Sequence, residues 1–154
     1  MPLDHGRRVR APTEITTMNT LSLHATLRAF FDDIASAFGA GDMPRFRQLY
    51  ALPCVVLTAE GALPLLDDGA FTDFFAALLA RLRTLDFARS AFRDLTVTQL
   101  TPSIALAAMH WTRYRGDDSV IETLGATYTL VLQDGRWRIM ALIPHGADAI
   151  PTLL

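Results

Sequence analysis

The chain has little of anything that would announce a chemistry. Cys54 is its one cysteine, so no internal disulfide can form, and a reducing, cytoplasmic location is expected. That residue lies in the apolar run Leu52-Pro53-Cys54-Val55-Val56-Leu57. A buried structural thiol is expected there, because a nucleophile needs a base and polar surroundings. No apolar run reaches the ~18–20 residues that cross a bilayer, so no membrane partner is expected. The net charge is only −2, and no basic face with interleaved aromatics points to nucleic acid. His5, His24, His110 and His145 show no ligand spacing, so no metal is expected. Gly39-Ala40-Gly41-Asp42 follows a helical pattern and lacks the lysine of a phosphate loop, and no cofactor is expected.

What the chain has is apolar surface. Hydrophobic residues make up 51% of 154 positions. A chain of this length forms one domain and buries most of that surface without staples. The excess suits a large core, a lined cavity or a subunit interface.

Residues 1–20 stand apart, with Arg7, Arg8 and Arg10 among prolines and threonines. They contain no apolar core of a secretory signal, and as a transit peptide they are short. The reading is a disordered tail, or a true start at Met18. The domain is expected over residues 21–146, with a C-terminal tail over 147–154.

Leu27, Phe30, Phe31, Ile34, Ala35 and Phe38 form a helical stripe that Gly39 and Gly41 end. Asp42 can cap a short second helix, with Pro44 in its first turn and Phe46, Leu49 and Tyr50 on its apolar face. Cys54 to Thr58 reads as a strand, and Leu63 to Leu66 can pair back on it. After Asp67-Asp68-Gly69, Phe71, Phe74, Phe75, Leu78, Leu79, Leu82 and Leu85 mark what is expected to be the longest helix. Arg81 and Arg83 fall on its solvated side. Four strands follow: Leu95 to Thr98, Ile104 to Arg115, Val120 to Gln133, and Arg136 to Ile143 before Pro144. Asp134-Gly135 is a hairpin signal. Helices first and long antiparallel strands last predict an α+β fold, with three helices packed on a strongly curved, mostly antiparallel sheet. Phe30, Ile34, Phe38, Phe74, Leu78 and Leu82 are expected to be buried.

The order resembles the nuclear transport factor 2-like superfamily, the cystatin-like cone that includes SnoaL-like cyclases and ketosteroid isomerases. The helix ending Ala40-Gly41-Asp42, the short helix ending Leu49-Tyr50 and the closing Tyr128-Thr129-Leu130-Val131-Leu132…Asp134-Gly135-Arg136-Trp137-Arg138-Ile139 carry it. The stretch Tyr50 to Leu57 looks like an uncharacterised subgroup. The resemblance spans about residues 21–146 and implies a pocket rather than a reaction. The isomerase branch uses a first-helix tyrosine, a first-strand carboxylate base and a carboxylic acid. Alignment on Ala40-Gly41-Asp42 puts Ile34 and Thr58 at the first two positions, and counting back from Leu130 and Leu132 puts Tyr128 at the third. Isoleucine cannot donate a hydrogen bond and threonine is no general base, so steroid-isomerase chemistry is not expected.

Strand parity supplies the remaining candidates. Leu124, Ala126, Tyr128 and Leu130 share one face, with Glu122 toward its end. Trp111 shares a face with Ala105, Ala107 and Met109, and Arg113 follows it toward the rim, where it could bind a carboxylate. Tyr128, Trp111, Arg113, Glu122 and Tyr50 are therefore the expected ligand-binding residues. Against this stand simpler roles: Tyr128 as a core tyrosine with a backbone partner, Glu122 as an exposed strand-end charge, and His110 as a structural histidine.

Three functions remain open. One is a small-molecule binding protein with an apolar pocket. The second is an isomerase, hydratase or cyclase-like enzyme using Tyr128 with Glu122 or Asp33. The third is an interaction module with a filled cone. Residues 104–114 are apolar on both parities, so a homodimer through the open sheet face is expected.

Overall fold

The computed structural model describes residues 12–146, with side chains from Ser22 onward. The expected C-terminal tail, 147–154, and the first part of the expected N-terminal tail lie outside the described residues. Helix α1 spans Pro12–Gly39, α2 Met43–Gln48 and α3 Asp68–Arg83. The strands are β1 Tyr50–Thr58, β2 Gly61–Leu65, β3 Phe87–Thr101, β4 Ile104–Arg115, β5 Val120–Gln133 and β6 Arg136–His145. They form one sheet in the order β2-β1-β6-β5-β4-β3. Every pairing is antiparallel except β1 with β6. The three helices pack against this curved sheet, the α+β architecture the residue pattern predicts.

Local signals explain most boundaries. The Asp42 carboxylate accepts from the Arg45 amide at 3.2 Å, and Asp67 accepts from the Ala70 amide at 2.8 Å, so both act as N-caps. Asp134 and Gly135 both adopt positive φ, 51° and 75°, as the tight β5–β6 hairpin requires.

Several boundaries differ from the expectation. The first helix, at 28 residues, is longer than α3, at 16, and it begins well before residue 21. Tyr50 opens β1 instead of ending α2. Strand β3 starts at Phe87, and β6 continues through Pro144 to His145. Residues Phe87 to Asp94 are polar enough to hide a strand, yet they pair with β4 across register shifts at 87/89, 93/96 and 99/101. Asp94 sits in the second shift with φ 60°. Such bulges bend a strand and raise its twist, which suits a sheet curving over helices.

The core runs between the α1 and α3 faces and the inner sheet face. Leu27, Phe31, Phe71, Met109, Leu130 and Ile139 are its largest fully enclosed side chains. Of the residues expected to be buried, Ile34, Phe38 and Leu82 are. Phe30, Phe74 and Leu78 are only partly buried. Phe74 and Leu78 border a cavity, so part of each faces empty space. Phe30 lies at the edge of the stripe, edge-on to Phe31 with ring centres 5.1 Å apart. Leu85 lies beyond the end of α3 and is exposed.

Candidate functional site

Between α1, α3 and the inner sheet face lies a cavity of about 310 Å³. Ile34 and Phe38 from α1, Phe74 and Leu78 from α3, and Val56, Leu124, Ala126 and Leu142 from the sheet make its walls apolar. Two polar-tipped rings, Trp111 and Tyr128, enter this surface.

Strand register explains how the two rings meet. Trp111 pairs with Leu124, Met109 with Ala126, and Ala107 with Tyr128. Tyr128 therefore lies four residues along β5 from the Trp111 partner Leu124, with small Ala126 between them on the same face, and the two rings reach toward each other over it. The Trp111 indole N–H donates to the Tyr128 hydroxyl at 3.0 Å, and the pair is buried. An indole N–H can only donate, so the phenol oxygen accepts and its own proton remains available. Phe31 packs on the Tyr128 ring at 4.8 Å, and Phe92 packs edge-on against Trp111 at 5.3 Å. These contacts fix both rings. Burial raises the Tyr128 pKa well above the usual phenol range, with the Trp111 hydrogen bond and the Arg113 charge opposing. Tyr128 is thus a neutral hydrogen-bond donor near neutral pH and not a base.

The mouth is charged. Arg113 and Glu122 face each other across β4 and β5, and the guanidinium donates to the carboxylate at 2.5 Å. The Arg113 side chain is 18% exposed and that of Glu122 46%. Arg81 from α3, Ser90 from β3 and Thr58 from β1 also border the cavity. Strand parity and rim position thus bring together Tyr128, Trp111, Arg113 and Glu122. Tyr128 has a side-chain partner, Trp111, in place of the backbone partner of the simpler reading. Ile34, Thr58 and Tyr128, the three positions aligned to the isomerase roles, border the same cavity.

Tyr50 is a correction, because it does not border this cavity. Its ring is buried among Phe46, Phe71 and Phe75, with centres 4.9–5.3 Å away, one layer behind the wall. Its position at the start of β1 instead of on a helix face turns it inward. Burial raises its pKa far above the phenol range, with Tyr128 and Cys54 adding to the shift. Cys54 is buried, and burial pushes its thiol pKa up, opposed mainly by Arg47. That environment suits the structural role expected of it. Asp33 is exposed and bonded to Arg45 at 3.1 Å, away from the cavity lining. His110 lies on the opposite sheet parity, with Nδ1 3.2 Å from an Asp94 oxygen. The helical period of α3 sends Arg81 toward solvent, since it lies off the apolar stripe. It nevertheless borders the cavity in the folded chain.

Comparison with known proteins agrees with this fold. The NTF2-like protein family DUF6841 matches residues 25–147. An NTF2-like protein with a cystatin-like fold from Novosphingobium aromaticivorans superposes with a TM-score of 0.70 at 14% identity, covering 92% of this chain and 93% of that one. An NTF2-like protein of unknown function from Pseudomonas putida gives 0.64 at 20% identity, covering 87% and 95%. Aln2 from a Streptomyces species gives 0.68 at 17% identity, covering 82% and 92%. At these identities the likeness extends to the fold alone. Among curated proteins none matches. The helix order, the strand order and the family match over most of the chain lead to one conclusion: the chain belongs to the NTF2-like protein family DUF6841.

Proposed function

We propose that this protein binds a small, largely apolar molecule inside the cone, without a catalytic step assigned to it. The observation that carries this reading is the buried Tyr128 hydroxyl, held by Trp111 in an apolar cavity with its proton free to meet a ligand oxygen. Arg81 at the mouth, beside the Arg113–Glu122 pair, favours a ligand whose outer end is acidic. An apolar ring system with an inner carbonyl or hydroxyl and an outer carboxylate or sulfonate fits this arrangement. The enzyme reading is weaker, since among the described residues the only carboxylate bordering the cavity is Glu122, which Arg113 engages. An open cavity also weighs against a filled-cone module.

Anilinonaphthalene sulfonate, an apolar anion, is a suitable probe. Its fluorescence should report saturable 1:1 binding. Leu124→Trp, which fills part of the cavity from its wall, should weaken binding by roughly tenfold, and Arg81→Gln by a few-fold. Equal binding by wild type and Leu124→Trp would place the probe outside the cone and sink the reading.

A homodimer through the open sheet face belongs to the same proposal. That face presents Ile104 and Met140, 36% and 37% exposed, beside the partly buried Leu106, Val131, Ala141 and Ile143. Sedimentation should give a dimer at micromolar concentration, and Ile104→Asp should shift it toward monomer. A wild-type monomer would overturn this part. Cytoplasmic residence is proposed on the single buried thiol. No described helix is long and apolar enough to cross a membrane.

A further inference from the structure

We propose a second binding site, for a phosphate group, in a cleft where the β5–β6 hairpin meets the junction of α2 and β1. The cleft has a volume of about 480 Å³ and shares no lining residue with the cone cavity. Arg47, Arg136 and Arg138 border it, together with the amides Gln48 and Gln133. The chain contains no lysine, so all 14 of its Lys+Arg cations are arginines, and three of them border this one cleft.

The arginines come from elements distant in sequence. Arg136 and Arg138 are two residues apart on β6 and so project to one side of the strand. Arg47 sits in the last turn of α2 and is held in place. Its Nη1 donates to the Tyr50 carbonyl at 2.9 Å, and its Nε donates to Asp68 at 2.5 Å. Arg138 donates to the Gln133 side chain at a long 3.5 Å. Among the described residues no carboxylate lines the cleft; the nearest acidic partner is Asp68, which holds Arg47 from outside the lining. The β1–β6 pairing also lapses between Tyr50 and Val55, so the Ala51–Leu52 segment that lines the cleft lies outside that ladder.

Asp68 offsets the Arg47 charge, while Arg136 and Arg138 on β6 are like charges that repel, and an anion between them removes that cost. Guanidinium forks match phosphate oxygens in pairs, and a phosphate dianion offers three terminal oxygens to three arginines. A carboxylate, with two oxygens and one charge, fits the set less well. The group can arrive as the free ion or as part of a small phosphorylated metabolite.

The test is an NMR titration of the folded protein at constant ionic strength, following the Gln48 and Gln133 side-chain amides. Inorganic phosphate or glycerol 3-phosphate should shift them saturably in the millimolar range or below. Tighter binding of the ester would assign the site to a phosphorylated metabolite, and tighter binding of the ion to free phosphate. Arg138→Gln and Arg136→Gln should each weaken binding by roughly tenfold. Arg81→Gln, at the cone mouth, should leave it unchanged, which separates this site from the proposed cone ligand. The proposal fails if neither phosphate compound gives saturable shifts, if acetate binds as tightly, or if Arg138→Gln binds phosphate like the wild type while retaining its spectrum elsewhere.

Discussion

Phe31→Ala should cost about 3–5 kcal/mol of stability, lowering the melting temperature by roughly 10 °C for a chain of this size. Phe31 is 0% exposed and stands where α1 meets the sheet. Its ring touches Tyr128 at 4.8 Å and Phe92 at 6.2 Å. Truncation removes its transfer free energy and leaves a cavity in a region where Tyr128 and Trp111 cannot easily collapse, because each holds the other. Phe30→Ala, one residue earlier, should cost much less, since its ring is partly solvated. Phe74→Ala should also fall below the range of a fully buried phenylalanine, because the ring borders a cavity that already exists. Chemical denaturation of the three variants checks the order. A Phe30→Ala loss equal to that of Phe31→Ala would mean that the packed stripe has been misassigned.

Tyr128→Phe should act on both stability and binding. Removing the hydroxyl strands the buried Trp111 N–H, which lost its water on folding and now has no acceptor. Leaving such a group unpaired costs about 1–3 kcal/mol. Parity alone suggests a smaller stability effect, because it does not reveal that the hydroxyl serves Trp111. The same variant removes the donor proposed for the ligand, so affinity for an oxygen-bearing ligand should fall by a similar ~1–3 kcal/mol. Trp111→Phe separates the two roles. It breaks the internal hydrogen bond but keeps the Tyr128 hydroxyl, so stability should fall while much of the ligand affinity remains. If Tyr128→Phe loses stability and binds as well as wild type, the hydroxyl is a structural group and the ligand site lies elsewhere.

Apolar periodicity is legible without coordinates because it is a one-dimensional record of which face is buried. The α1 stripe, the α3 stripe, the parity of Trp111 with Met109 and of Tyr128 with Ala126, and the Asp134-Gly135 turn all follow from spacing and backbone preference. Four of the five candidate residues, Trp111, Arg113, Glu122 and Tyr128, border the cavity, and strand parity groups them on β4 and β5. Tyr50 does not, because a one-element shift from helix to strand rotates a side chain to a different neighbourhood. The first half of β3 is hidden because its residues alternate weakly, and its strand character comes from pairing with β4.

The sequence by itself determined the α+β class, the Asp42 cap, the helical stripes and which residues of β4 and β5 share a face, since these depend on the local period of burial; which of the two faces looks inward came from the tertiary structure. Only the tertiary structure decided which polar tips meet. The Trp111–Tyr128 hydrogen bond spans two strands on a diagonal, Arg81 reaches the mouth from a helix, and Arg47 meets Arg136 and Arg138 across most of the chain. Those juxtapositions depend on sheet curvature and strand order, which arise from long-range pairing and leave no fixed spacing in the chain.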